Sequence, residues 1–218
     1  QIKNKANERL INEGIEKGKK FTIKDTFQIF NTVAELEQHL IDKGFTKAEI
    51  AKRLTKDGWY DPNTKKIYIN KEVAIETGAV TVAQHEVVHY IFGASLRDDN
   101  GNMTTAGVKT VIGFLKLLSK KDLALITQRV NANYDTGTKI NKEGQKVWND
   151  PNHVEEYLTA YVDMVLKKEI KPTKTFLRAV GKDVENKLKE NGYENIEFNN
   201  PNDILSWLNA YVRDIQSN

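Results

Sequence analysis

Residues 1–20 place apolar side chains at Ile2, Ala6, Leu10, Ile11 and Ile15, a helical spacing that predicts a helix over 2–20. Gly18 and its flanking lysines read as its stop. FTIKDTFQIF, residues 21–30, alternates enough to hold a short strand. Thr32 with Glu35, and Thr46 with Glu49, carry the threonine-to-glutamate spacing of capping boxes, so each opens a short helix. Gly44 separates the two and Gly58 closes the second. GWYDPNTKKIYIN, residues 58–70, reads as a hairpin. Trp59 and Tyr60 lead into a turn over Asp61, Pro62 and Asn63. The returning strand puts Ile67 and Ile69 on one face and Tyr68 on the other.

A helix follows, starting between Thr77 and Thr81 and ending at Gly93, which suits a C-terminal cap. Residues 98–102 form a loop. Two further helical patterns, 105–118 and 121–133, break near Ser119. Residues 134–151 are polar and glycine-containing and read as a long surface loop. NHVEEYLTAYVDMVLKK, residues 152–168, is a strongly periodic helix, and helices near 173–190 and 203–215 finish the chain. The predicted fold class is α+β, mostly α, with a small hairpin or sheet before the 77–93 helix and a helical C-terminal half. Nothing divides the chain cleanly and no repeat appears. One domain over 1–218 is expected, with an N-terminal helical part (1–57), the hairpin and following helix (58–93) and a further helical part (94–218).

Composition narrows the chemistry. At 39% hydrophobic and 29% charged residues, the chain fits a soluble globular protein. No apolar run approaches the roughly 18 residues needed to span a bilayer. The 33 basic and 30 acidic residues nearly cancel, and the lysines are scattered, so no nucleic-acid partner is expected. With no cysteine, a metal must be held by histidines and carboxylates. The chain opens QIKNKANERL, without an initiator Met or an apolar signal segment, so a piece of something longer is expected.

AQHEVVHYIFG, residues 83–93, holds the most specific signal: His85 and His89 with Glu86 between them. Histidines four apart leave one helix face a turn apart, so both imidazoles can reach one ion. Glu86 then lies beside that ion, where it can take a proton from a bound water acidified by the metal. Along this helix Val80, Ala83, Val87, Val88 and Ile91 make the apolar face, and the two histidines point largely away from it.

A third ligand closes such a site. Phe92 and Ser95 stand where a metzincin would need glycine and histidine, so the ligand comes from elsewhere. The 152–168 helix offers Glu155 and Glu156. On its wheel Glu155 sits at the margin of the apolar face beside Thr159 and Val162, whereas Glu156 points away with Asp163 and Lys167. Glu155 is the preferred third ligand and Glu156 the alternative, and His153 is a rival that suits a helix start better. Tyr90, Tyr134, Tyr157 and Tyr161 are candidates for stabilising an oxyanion. Trp59, Trp148 and Trp207 read as core anchors.

HEVVH after a hairpin, followed by an EE-bearing helix, resembles the zincin metallopeptidases of the thermolysin-like, glutamate-ligand kind. The order GWYDPNTKKIYIN then AVTVAQHEVVHYIFG is similar to compact zincin domains of phage and mobile-element proteins. The resemblance covers 58–93 and, loosely, 152–166. It implies His85 and His89 as Zn2+ ligands, Glu86 as general base and Glu155 or Glu156 as third ligand. It also implies a peptide or protein substrate, with Lys66–Asn70 as an edge for strand addition or, alternatively, a plain structural hairpin. An aspartate four residues after the ligand glutamate is part of that pattern. Here Thr159 and Ala160 stand at the corresponding positions. The expected activity is zinc-dependent peptide-bond hydrolysis. The alternative is a catalytically silent zincin-fold structural or binding domain, of a phage virion or a larger polyprotein.

Overall fold

The computed structural model describes residues 2–98, 100–134, 138–140, 146–148, 153–173, 198 and 201–217. The protein is mostly helical with a small three-stranded sheet, as the periodicity predicts. It packs as two compact units, Gln1–Tyr90 and Ile91–Asn218.

The first unit begins with α1 (Ile2–Lys19), which ends at the lysine after Gly18, as the sequence predicts. Gly14 and Gly18 lie one turn apart, and both are contact points. A Cβ on Gly14 would sit 2.6 Å from the Gln84 side-chain nitrogen, and one on Gly18 would sit 3.2 Å from Val87 Cγ2. Bare backbone at these two positions lets α1 lie close against the segment carrying the histidines. Strand β1 (Phe27–Phe30) leads to α2 (Val33–Asp42) and α3 (Lys47–Leu54). Thr32 accepts from the Glu35 N–H, and Thr46 with Glu49 forms a complete capping box. Gly44, at φ 78°, makes the left-handed turn between them. Leu36, Leu40 and Ile50 form a small core against Phe30, Phe45, Leu54 and Trp59.

Strands β2 (Gly58–Asp61) and β3 (Lys66–Asn70) form the expected antiparallel hairpin, with Trp59 opposite Tyr68. β1 pairs in parallel with the other side of β3, Phe27 opposite Ile67 and Phe30 opposite Asn70, so the sheet order is β1-β3-β2. This corrects the expectation for Lys66–Asn70. β3 is the central strand, its backbone groups are taken on both sides, and strand addition there is ruled out. Tyr68 is buried like its isoleucine neighbours, stacked 4.7 Å from Trp59, so both faces of β3 are covered. A short helix, α4 (Lys71–Thr77), follows β3 directly and ends at Gly78 (φ 74°). It takes up sequence that read as the start of the next helix, and α5 (Val82–Leu96) therefore begins just after the expected range.

The second unit takes up the chain within α5, which continues three residues past Gly93. The C-terminal expectation there fails because Gly93 is a buried helical position with no turn to make. Helices α6 (Thr105–Leu115) and α7 (Lys120–Asn133) follow, capped by Thr104 and Ser119. The supposed long loop after Tyr134 holds a two-stranded antiparallel sheet, β4 (Thr138–Ile140) with β5 (Lys146–Trp148). α8 (Glu156–Leu166) is buried along most of its length, and α7 and α9 (Pro201–Ser217) both pack on it. Trp207 anchors this unit: its ring stacks 4.9 Å from Tyr211 and meets Phe92 edge-on at 5.3 Å. The expected helix near 173–190 lies almost wholly outside the described residues, as does the side chain of Trp148. Among the described residues, no helix is long and apolar enough to cross a membrane.

Candidate metal centre

From Val82 to Gly93, α5 is buried at every position except His85 and His89, which are half-buried. A helix covered nearly all round has few reasons to carry two imidazoles on one stripe. The rings face each other. Their centroids are 5.0 Å apart and their Nε2 atoms 3.2 Å apart. Two nitrogens held by one tetrahedral zinc at about 2.0–2.1 Å lie about 3.3–3.4 Å from each other. The observed spacing is within a few tenths of an ångström of that bite. The same spacing suits an Nε2–H···Nε2 hydrogen bond when one ring is protonated there, or a shared cation when both rings carry their proton on Nδ1.

Among the described residues, one group of three potential ligands has all its donor atoms within 4.8 Å of one another: His85, His89 and Glu156. Two imidazoles and a carboxylate are the donor set of a catalytic zinc site that keeps a fourth position open. Glu156, the alternative, is thus the carboxylate brought together with the histidines, and Glu155 and His153 are outside the group. Glu155 lies elsewhere because Arg97 holds it. The Arg97 Nε donates to Glu155 Oε2 at 3.0 Å, and the carboxylate is 1% exposed. The helical wheel has both side chains as found, Glu155 buried and Glu156 half-buried like Asp163; what sequence periodicity does not show is that Arg97 takes Glu155. Residues 153–155 form a tighter turn, with Leu158 N bonded to Glu155 O, and α8 proper starts at Glu156.

Thr159 Oγ1 lies 3.2 Å from Glu156 Oε2 and 2.9 Å from the Glu156 carbonyl oxygen. The hydroxyl is a turn away on the same helix, well placed to orient the carboxylate, in the way outer hydrogen bonds orient metal ligands. In the sequence Thr159 stands out as a neighbour of Glu155 on the wheel and as a departure from an expected aspartate, not as a partner of Glu156. Arg97 gave no signal at all, since its partner is 58 residues away. Glu86 is buried, 6% exposed, next to His85 on α5.

The tyrosines divide. Tyr161 donates to Asn209 Oδ1 at 2.6 Å and accepts from the Thr173 N–H at 3.0 Å, and Asn209 closes the ring of bonds on the Thr173 carbonyl. Tyr157 hydrogen-bonds to Thr127. Burial pushes both phenols above their ordinary pKa, and both are engaged in holding helices together. Tyr90 is buried with its ring edge-on to Tyr60, and Tyr134 lies 5.4 Å from the His153 ring. His153 lies in the turn just before α8. No protein-family model, no curated protein and no solved structure matches this chain.

Proposed function

We propose that this protein is a zinc-dependent endopeptidase of the glutamate-ligand zincin type, with His85, His89 and Glu156 as metal ligands and Glu86 as general base. The observation that carries the reading is the grouping of His85, His89 and Glu156 donor atoms within 4.8 Å, two of them at a 3.2 Å spacing that suits a single ion. Zinc in such a site would polarise a scissile carbonyl and lower the pKa of a bound water towards ~7. The chain's own residues do the rest. Glu86 follows His85 directly, so its carboxylate is carried on the helix that holds two of the ligands. It takes the water proton and delivers it to the departing amine nitrogen, the ordinary division of labour for a general base that turns acid. Burial of Glu86 limits competing bulk water around that transfer. Glu155, bound to Arg97, is left out of the ligand set, and Thr159 steadies Glu156.

The test is metal content with turnover. Purified protein should carry about one zinc per chain, and Glu86→Gln should keep the zinc and lose cleavage of a peptide library. Folded protein that takes up no zinc overturns the reading. Zinc uptake without any cleavage, in wild type and Glu86→Gln alike, would leave a silent metal-binding domain instead.

A further inference from the structure

Glu155 is the residue before a proposed metal ligand, it is almost wholly buried, and its charge is spent on an arginine rather than on an ion or a helix cap. It occupies the N-cap position of α8 yet makes no side-chain capping bond there. An N-cap carboxylate ordinarily turns back onto the first free N–H groups of its helix. Here it is drawn aside to Arg97.

Arg97 is in turn fixed at its base. It is the first residue after α5, its backbone bridges to Met103, and its guanidinium donates to the Gly101 carbonyl at 2.8 Å. The loop between is closed on itself. Asp98 N bonds to Asn102 O, the Asp98 carboxylate accepts from the N–H groups of Asn100 and Asn102, and Gly101 takes a left-handed φ of 77°. A planar guanidinium so braced presents its second N–H in a set direction. His89 and His85 lie eight and twelve positions upstream of Arg97, both on α5, the unbroken helix that Arg97 directly follows, at about 1.5 Å rise per residue.

We infer that Arg97 and Glu155 are a positioning pair for the metal centre: Arg97, at the end of the histidine helix, holds Glu155 and thereby sets the direction in which the next residue, Glu156, is offered. This rests on the proposed ligand set. Consecutive residues at a helix start are turned by about 100–120° from each other, so fixing one side chain against a rigid partner fixes the bearing of its neighbour. A carboxylate ligand loses its use as a ligand if that bearing drifts by the width of an oxygen atom. A pair serving only as a staple between α8 and the 97–103 loop would support the fold equally well with any well-packed replacement. The two roles therefore separate experimentally.

Zinc affinity is measured by competition with a chromogenic chelator, and the coordination sphere by the visible absorption of the cobalt-loaded protein. Arg97→Met should weaken zinc binding about 10- to 100-fold, the usual cost of losing an outer-shell partner. Its cobalt spectrum should match that of Glu156→Gln and not that of wild type. Arg97→Lys, which keeps the charge but loses the fork, should recover part of the affinity. Should Arg97→Met fail to fold, the paired change Arg97→Met with Glu155→Leu removes both charges and suits a packed interior. It should fold, show the same loss and give the same spectrum. A folded variant of either kind with wild-type zinc affinity and a wild-type cobalt spectrum overturns the inference while leaving the ligand set standing. Folded wild-type protein that binds neither metal overturns both.

Discussion

Replacing Gly107 by alanine puts the structure at the end of the histidine helix to a quantitative test. Gly107 lies in the first turn of α6, and its N–H donates to Thr104 Oγ1 at 2.9 Å. A Cβ at this position would stand 2.5 Å from the Leu96 carbonyl oxygen and 3.1 Å from Leu96 Cα. A carbon and a carbonyl oxygen rest at about 3.3 Å or more, so the backbones must separate by about 0.8 Å. The same Leu96 oxygen accepts from Thr104 N at 2.9 Å and from Thr104 Oγ1 at 3.1 Å, and separation stretches both bonds. Overpacking costs about 1–3 kcal/mol and each weakened bond about 0.5–1 kcal/mol, for a total of about 2–5 kcal/mol. Against this, alanine prefers a helix over glycine by at most about 1 kcal/mol. The net loss is about 1–4 kcal/mol, a fall in Tm of about 2–16 °C for a chain of this size. Thermal unfolding followed by circular dichroism reads it directly. Gly44→Ala is the contrast: nothing lies within 4 Å of its Cβ, and only the φ of 78° costs, at about 1–2 kcal/mol. The sign decides the matter for Gly107. A Gly107→Ala protein that melts at or above wild type refutes the close approach of α6 to Leu96.

Zinc at about 100 times its Kd should stabilise the wild type by about 2.7 kcal/mol, or about 5–11 °C in Tm. His85→Ala and Glu156→Gln should lose most of that rise and His153→Ala should keep it, and an equal rise in all four proteins would contradict the ligand assignment. His39 should make stability acid-sensitive. Burial first, and the Lys43 cation second, hold its imidazole below its ordinary value, with Asp42 opposing them. The unfolded chain then takes up the proton before the folded one, so the contribution is present above about pH 6.5 and lost as pH falls through the folded-state value. Urea unfolding at pH 7.5 and at pH 5 checks this, because His39→Phe should flatten the difference. Tyr161→Phe strips a buried hydroxyl from Asn209 and Thr173 and should cost about 1–3 kcal/mol while leaving peptide cleavage per folded molecule unchanged. A large loss of turnover at full folding would return Tyr161 to the chemistry.

Local chemistry written into the sequence determined much of this protein. The threonine caps at 32 and 46, the hairpin from Trp59 to Asn70 and the 85/89 histidine pair all depend on residues within four or so positions of each other, or on one turn. Such contacts form wherever the chain is, so spacing alone predicts them. Distant contacts decided the rest. β3 became a central strand because Phe27–Phe30 pairs with it from forty residues away, and no alternation pattern announces which strand will sit between two others. Gly18 closes α1 by composition, but that Phe27 and Val87 occupy the space a side chain would need there is a distant contact no local pattern announces. Glu155 is taken by Arg97, whose attraction acts through space across 58 residues of chain, while Glu156 is the carboxylate grouped with the histidines. A carboxylate goes where its strongest partner is, and sequence distance says nothing about that.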